Sequence, residues 1–367
     1  MKLIGSFQTI TIHGRSDFVS SACSISCTWP GCVLARVKLT IYIVWRLKAQ
    51  ISSYDWRVPI KVRPMVPSRL FNHESNRSPK SLFGGYLALT KPRIIELLLI
   101  TTVPTMVLAA GKWPAWSLIA LTLLGGSLAA GGANAINMYI DRDIDKLMKR
   151  TQTRPLVTGL ISPGSALVFA VVLEVVAFVV LWSGANLLSA VLALSATMFY
   201  VFVYSLWLKR TSKQNIVIGG AAGAVPTLVG WAAVTNSVGW PAIWLFIIIF
   251  LWTPPHFWAL AIRHSAEYRA ADVPMLPAVE SVEKTVRTMF VYTVVLTLVS
   301  LVMIPVSDLG LIYGATAVLA GLGFVVGTAM LSRRPIDAWS MRVFSFSITY
   351  VTLLFGALML DVLVSAT

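Results

Sequence analysis

The sequence predicts an all-α fold: a polytopic membrane bundle of nine transmembrane helices around a central cavity open to the cytoplasmic side. Three observations carry this expectation. Only 12% of the residues are charged and 57% are hydrophobic, where a soluble domain has roughly a quarter charged. From Tyr86 onward, apolar runs of about the ~20 residues that a bilayer crossing needs follow one another. Lys and Arg gather in every second connection between them.

Residues 1–85 are expected to be a basic, poorly ordered N-terminal extension, and residues 86–367 the nine-helix domain. The net charge is +15, and residues 1–80 hold 12 Lys and Arg against 3 Asp and Glu, the remainder 18 against 12. An excess kept in a tail and at loop ends is the mark of membrane topology, not of a nucleic-acid groove. The tail lacks a charged-then-apolar leader with a small-residue cleavage site. Its partly apolar stretch from Val33 to Ile51 is broken by Arg36, Lys38, Arg46 and Lys48, so it suits an anionic surface better than a crossing. Met65 offers a later start. Cys23, Cys27 and Cys32 supply neither a paired framework nor four zinc ligands. No chemistry is assigned to the tail.

The spans are predicted near 92–110, 114–140, 163–184, 186–208, 215–235, 240–262, 287–306, 309–331 and 342–364. Pro104, Pro226, Pro254 and Pro255 fall inside spans, where kinks are tolerated if neighbours satisfy the freed carbonyls. Gly125, Gly126, Gly131 and Gly132 in the second span, and Gly219, Gly220 and Gly223 in the fifth, are expected to let backbones approach closely. Glu174, midway along the third, is expected to hydrogen-bond a neighbouring helix. The connection after span two carries Arg142, Lys146, Lys149, Arg150 and Arg154; that after span four, Lys209, Arg210 and Lys213. After span six come Arg263, Arg269 and Lys284, and after span eight Arg333, Arg334 and Arg342. The other connections hold Lys112 alone. The basic connections are therefore read as cytoplasmic in a multi-pass protein of the cell membrane, with the N-terminus inside and the C-terminus outside.

The second span ends in Asn137-Met-Tyr-Ile-Asp141-Arg-Asp143-Ile-Asp145, with Arg150 and Arg154 downstream. At about 100° per residue, positions 137, 141 and 145 share one helical stripe with Asn134 beside them, while Asp143 points elsewhere. Acids at a helix C-terminus oppose the macrodipole, so local helix stability does not explain them. Two carboxylates on one face repel unless a cation lies between them, and Mg²⁺ accepts oxygen ligands while keeping waters and substrate phosphates. With cations trailing, the stretch reads as a metal–diphosphate site rather than a solvated helix end. Asn137, Asp141 and Asp145 are its candidate catalytic residues, and Asp141 and Asp145 its metal ligands.

Two further stretches remain open between a chemical and a structural role. Glu267 and Asp272 lie five residues apart and cannot share a helical face. They meet a metal only through a loop, which Pro274 and Pro277 favour; a solvated loop is the alternative. Lys209, Arg210 and Lys213 suit a topology anchor, or a diphosphate clamp in which Lys acts as a point charge and Arg as a fork.

Together with Leu89-Thr-Lys91-Pro92-Arg93, Tyr204 to Lys209-Arg210-Thr211 and Pro254-Pro-His-Phe-Trp-Ala-Leu-Ala, these motifs resemble the protohaem IX farnesyltransferase (haem O synthase) family of the UbiA-type intramembrane prenyltransferases. The Arg150-Thr-Gln-Thr-Arg154-Pro-Leu and Pro-Pro-His-Phe-Trp stretches narrow the likeness from the superfamily to the haem family. The resemblance runs from about residue 86 to the end. It implies nine transmembrane helices around a central cavity and transfer of farnesyl from farnesyl diphosphate to a vinyl group of haem b. Water adds, haem O and diphosphate leave, and Mg²⁺ is the usual metal.

By the same resemblance Asn137, Asp141 and Asp145 form the first motif. Lys209 and Arg210 match its basic diphosphate-binding stretch and Arg150 and Arg154 its loop, all four being expected with Tyr268 to bind substrate, and Glu267 and Asp272 of the second motif are expected as further metal ligands. Where the family commonly has Asp before that Tyr, this chain has Glu267; Asp272 stands where Gly or Asn is common. His256 and Trp258 are expected as substrate contacts. A neutral His256 imidazole faces haem iron or orients the macrocycle, with a bond to a carbonyl freed by the Pro pair as the competing reading. Tyr139, Phe257 and Trp258 are the aromatic candidates to face an allylic cation. The expected partners are farnesyl diphosphate, haem b, the lipid bilayer and other haem-biosynthesis enzymes, with no nucleic acid. Two alternatives stand beside this reading. A quinone-precursor prenyltransferase shares the metal motif, and a membrane transporter places its charged site near the midplane rather than at one face.

Overall fold

The computed structural model describes residues 81–334 and 336–365; what was expected of the tail lies outside them, apart from the start of the first helix. Among the described residues every regular element is helical. Helix α1 (Leu82–Thr90) starts at Ser81, whose Oγ accepts from the Gly84 amide at 3.1 Å. The chain turns at Lys91, in the left-handed region at φ 51°, into α2 (Pro92–Ala110). Pro92 occupies the first helical position, where no N–H is needed. There follow α3 (Trp116–Ile140), α4 (Pro163–Gly184) and α5 (Leu187–Met198). Helix α5 runs on as a π-helical stretch, Phe199–Leu208, and ends in the turn Lys209–Thr211. Next come α6 (Asn215–Thr235), α7 (Trp240–Arg263) and two short helices, α8 (Ser265–Ala270) and α9 (Leu276–Val279). The chain closes with α10 (Val282–Ser307), α11 (Leu311–Met330) and α12 (Ile336–Ser365).

Eight of these are long and apolar enough to cross a membrane: α3, α4, α5 with its extension, α6, α7, α10, α11 and α12. The protein is therefore multi-pass. The first expected span, α2, is a helix over the expected residues, but Arg93 and Glu96 lie in its first turns and its apolar part is Ile100–Ala110. Helices α2, α6 and α7 continue through Pro104, Pro226, Pro254 and Pro255.

Small residues set the helix spacing where expected, with two exceptions. A Cβ on Gly132 of α3 would lie 2.6 Å from Glu174 Oε1 of α4, so only glycine lets the buried carboxyl sit there. Glu174 in turn accepts from Thr197 Oγ1 of α5 at 3.1 Å, the interhelix bond expected of it. Gly126 and Gly223 face open space instead; each lies off the stripe along which its helix meets a neighbour. The outer side of α4 exposes Val168, Val171, Val172, Val175 and Val179, a face suited to hydrocarbon rather than water.

The largest apolar core is shared by α7, α10, α11 and α12 and includes Trp252, Trp258, Tyr313, Phe324 and Tyr350. Its polar atoms are largely paired inside it. Tyr313 Oη donates to the Ser300 carbonyl at 3.0 Å, and Trp252 Nε1 to the Ser347 carbonyl at 2.8 Å. Asp361, near the end of α12, is buried and receives the amides of Gly310, of Ile312 at 3.1 Å and of Tyr313 at 3.4 Å. These are amides at the start of α11, which has no partner for them within its own turn. Asp361→Ala is expected to cost about 2 kcal/mol, the worth of hydrogen bonds to a charged group. A lowered thermal midpoint in detergent measures it; an unchanged midpoint would show that water substitutes for the carboxylate.

Candidate active site

The helix that carries the first motif stops at Ile140, yet the four-residue spacing survives. Asp141 donates its amide to the Asn137 carbonyl at 2.9 Å, and Asp145 donates to the Asp141 carbonyl at 2.8 Å. The side chains of 137, 141 and 145 are all buried, Asp141 completely. Asp143, predicted to point elsewhere, is exposed. Both terminal nitrogens of Arg210 grip it at 2.8 Å, and that bond holds the Asp143 carboxyl well below the usual range. Arg210, expected to contact diphosphate, is thus engaged on the outer side of the motif and also donates to the Ile140 carbonyl at 3.1 Å.

The buried acids are met by cations from three parts of the chain. Arg154 Nη1 lies 2.8 and 2.6 Å from the two oxygens of Asp145. Lys209 Nζ donates to Asp141 Oδ2. Asn137 Nδ2 donates to that same oxygen at 2.9 Å and to Ser205 Oγ at 3.0 Å, while Lys91 Nζ donates to Asn137 Oδ1 at 3.1 Å. Two cations thus bond the two carboxylates, and Lys91 bonds the Asn137 amide oxygen beside them. Burial, reinforced by Arg154 and Lys209, lowers the Lys91 ammonium to about 7.

Of the buried side-chain atoms that lack partners, two belong to the candidate residues of these charged stretches: Asp141 Oδ1 and Arg150 Nε. Such atoms need an explanation; a carboxylate oxygen suits a cation, and a guanidinium N–H an anion. Among the described residues no three His, Cys, Asp or Glu gather into a metal cage. Mg²⁺ does not need one, since one or two carboxylates with waters and substrate phosphates suffice. Asp141 and Asp145 fit that donor set.

The second motif packs beside the first without joining it in such a group. Ile144 and Met148 share a small apolar cluster with Val273 and Met275, against which Tyr204 and Tyr268 pack. Glu267 Oε1 lies 3.1 Å from His264 Nδ1, and its Oε2 makes a long 3.5 Å contact with the Arg150 amide. Arg150 Nη2 reaches Tyr268 Oη at 3.4 Å. Asp272 is exposed, at φ 51°.

His256 and Trp258 belong to α7, and none of their recorded contacts is with the acidic cluster. The His256 ring lies between Trp252 and Phe344, with centroids 4.2 and 4.5 Å away, and Nδ1 is 2.6 Å from Ser347 Oγ. Ser347 spends its single hydrogen on the Phe344 carbonyl at 2.6 Å. Nδ1 is therefore the donor to Ser347, and Nε2 keeps its lone pair. Hydroxyl and ring neighbours, not a carbonyl freed by the prolines, hold this histidine. Trp258 is buried edge-on against Tyr292 at 5.5 Å, its indole N–H without a partner.

Of the other aromatic candidates, Tyr139 lies under the Arg142 guanidinium at 4.5 Å, and Phe257 is exposed. The aromatic faces nearer the acids are Tyr200 and Tyr204, stacked at 5.3 Å and within electrostatic reach of Asp141. With Lys91 and Ser205 they are residues to which the sequence assigned no role at the site, although Lys91 and Tyr204 stand in the motifs quoted above. The π-helical stretch explains why. Its i→i+5 bonding puts more than 3.6 residues in a turn, which brings Tyr204 closer in angle to Lys209, and Tyr200 to Ser205, than an α-helix would. An α-helical wheel separates both pairs. Gly219 of α6 leaves the room that the Tyr204 ring fills.

An all-helical membrane bundle with paired buried acids and converging cations at a helix end is consistent with an intramembrane prenyl-group transferase, and the chain belongs to the UbiA prenyltransferase family, whose model matches residues 98–359. Relatives at about half identity bear one name, protoheme IX farnesyltransferase. The one from Parafrankia sp. is 52% identical over 277 residues, covering 75% of this chain and 88% of that one. The one from Pseudarthrobacter chlorophenolicus is 52% identical over 282 residues, covering 76% and 88%. Among solved structures, a digeranylgeranylglyceryl phosphate synthase aligns with TM-score 0.64 at 17% identity, over 77% of this chain and 98% of its own. A UbiA homolog from Archaeoglobus fulgidus bound to DMAPP and Mg²⁺ aligns with TM-score 0.52 at 16% identity, over 75% and 99%. At those identities the two structures speak for the fold.

Proposed function

We propose that the protein transfers the farnesyl group of farnesyl diphosphate to a vinyl group of haem b, with addition of water, giving haem O and diphosphate. The observation that carries the donor half is the buried pair Asp141 and Asp145, bonded by Lys209 and Arg154, with Asp141 Oδ1 left without a partner. The acceptor half rests on the relatives that share half their residues with this chain.

Asp141 and Asp145 would hold Mg²⁺, which when bound offsets charge on the diphosphate as its bond to farnesyl breaks. Lys209 and Arg154, bound to those acids in the substrate-free protein, turn to phosphate oxygens, the Arg as a fork and the Lys as a point charge. Lys91 and Arg150 complete the anion site. Cations fixed beforehand where negative charge develops lower the barrier most in a water-poor pocket. The stacked faces of Tyr200 and Tyr204 shield the allylic cation. As the vinyl carbon bonds to C1 of the farnesyl group, the cation left beside the macrocycle takes up water and loses a proton. His256, its Nε2 lone pair free, faces the haem iron and fixes the macrocycle.

The same reading has α2 as a ninth crossing, the bundle opening on the face of the acids, and that face cytoplasmic, because Arg142 through Arg154, Lys209 to Lys213 and Arg263 to Lys284 all attend it. The 86–367 domain alone performs the reaction.

Membranes carrying the protein, supplied with haem b, farnesyl diphosphate and Mg²⁺, are expected to yield a pigment heavier by one farnesyl group plus one hydroxyl group. Prenylation of a quinone precursor with no haem adduct would overturn the acceptor and leave the donor site standing. A chain that starts at Met65 is expected to turn over unchanged, since no site residue lies before it; a folded but inactive truncation would contradict the domain boundary.

A further inference from the structure

We propose that the protein holds an anionic phospholipid headgroup in a pocket between the end of α11 and the start of α12, on the same side of the bundle as the buried acids. The pocket has a volume of about 310 Å³ and is lined by Arg334, Ala338, Trp339 and Arg342. That is the lower end of the range for small-molecule sites, roughly 300–1,000 Å³. Trp339 is pinned, its indole N–H donating to the Gly327 carbonyl at 2.8 Å, and the Arg342 guanidinium lies 5.0 Å from its ring centroid. A guanidinium steadied over a ring face keeps its N–H edge for an anion.

Charge balance points the same way. On this side of the bundle Arg154, Lys209, Arg210, Lys213 and Lys284 each pair with a carboxylate, while Arg142, Arg150 and Arg269 spend their guanidinium groups on a carbonyl or a hydroxyl and Lys146 and Arg333 stand exposed. Arg334 and Arg342 are exposed and form no ion pair among the described residues, and Asp337, exposed in the first turn of α12, pairs with neither. Two unneutralised guanidinium groups converge on one small pocket, the arrangement that accepts a phosphodiester through paired hydrogen bonds.

The apolar surroundings favour a lipid over a free anion. Leu322 and Val326 on α11 and Ile348 on α12 are exposed next along the two helices, a surface for acyl chains. A half-buried Trp marks headgroup level, and basic pockets between helices at that level recruit anionic headgroups.

The test uses the full chain, purified in a zwitterionic detergent and titrated with phosphatidylglycerol, the retained lipid being counted by native mass spectrometry. The wild type is expected to retain phosphatidylglycerol over phosphatidylcholine, and Arg334→Gln/Arg342→Gln to lose that preference by roughly tenfold or more. The double variant should still form haem O in lipid-free detergent, because neither arginine belongs to the transfer site. Equal retention by both proteins overturns the proposal. So does displacement of the lipid by millimolar inorganic phosphate or glycerol phosphate, which would make this a free-anion site. Should the double variant aggregate, Trp339→Phe, which keeps a ring but not the pinning bond, is expected to weaken retention in the same assay, and full retention there counts against the headgroup.

Discussion

Asp141→Asn is expected to reduce farnesyl transfer on the order of 10³-fold or more, a loss of the size seen when a group that answers transition-state charge is removed. The side chain is completely buried. One oxygen is shared by Lys209 and Asn137, and the other waits for a partner. Asparagine keeps the volume, so the bundle should fold and insert. It removes the charge that a divalent cation needs, and its amide brings an N–H toward donors already present on Asn137 and Lys209. Haem O formation, followed by mass, reads the loss; monodispersity in detergent reads the fold. Asp143→Asn, two residues on, is the control. That acid is exposed and paired outside the cluster with Arg210, an interaction worth roughly 0–1 kcal/mol at a surface, so turnover should barely change. Wild-type turnover in Asp141→Asn, or equal loss in Asp143→Asn, would mean that burial has been misjudged as the mark of the working acids.

The contrast between those two aspartates was legible in the sequence, because 137, 141 and 145 share a four-residue spacing that excludes 143, and the backbone bonds past Ile140 keep that spacing where the helix ends. So was the helical bundle, since composition and the length of apolar runs leave a chain of this kind few other folds. Less legible were contacts made across sequence. Lys91 reaches Asn137 from a left-handed turn between two helices, and nothing local marks its ammonium as inward. Arg210 and Lys209, adjacent in sequence, go to different acids, one exposed and one buried. Tyr200 and Tyr204 were missed because a wheel drawn at 3.6 residues per turn fails in a π-helical stretch. His256 was singled out as an intramembrane histidine, but its partner Ser347 lies 91 residues away, beyond what spacing can indicate.

Lys209→Met is expected to move two measurements in opposite directions. In the substrate-free protein the ammonium of Lys209 sits on Asp141, the carboxylate assigned to the metal, so lysine and divalent cation compete for one charge. Methionine keeps much of the apolar stem and removes the competitor. It leaves Asp141 buried without a counter-charge, an unfavourable state that a bound cation relieves. Without diphosphate, Mn²⁺ used as a spectroscopic stand-in for Mg²⁺ should therefore bind more tightly to the variant than to the wild type. Transfer should nevertheless fall roughly 10²-fold, because the group that turns to the leaving diphosphate is gone. Arg154→Met tests the same logic at Asp145, which Arg154 grips through both oxygens. If Lys209→Met instead loses metal affinity and turnover together, Lys209 is a prop that shapes Asp141 rather than a rival for it, and the exchange of lysine from acid to phosphate drops out of the mechanism.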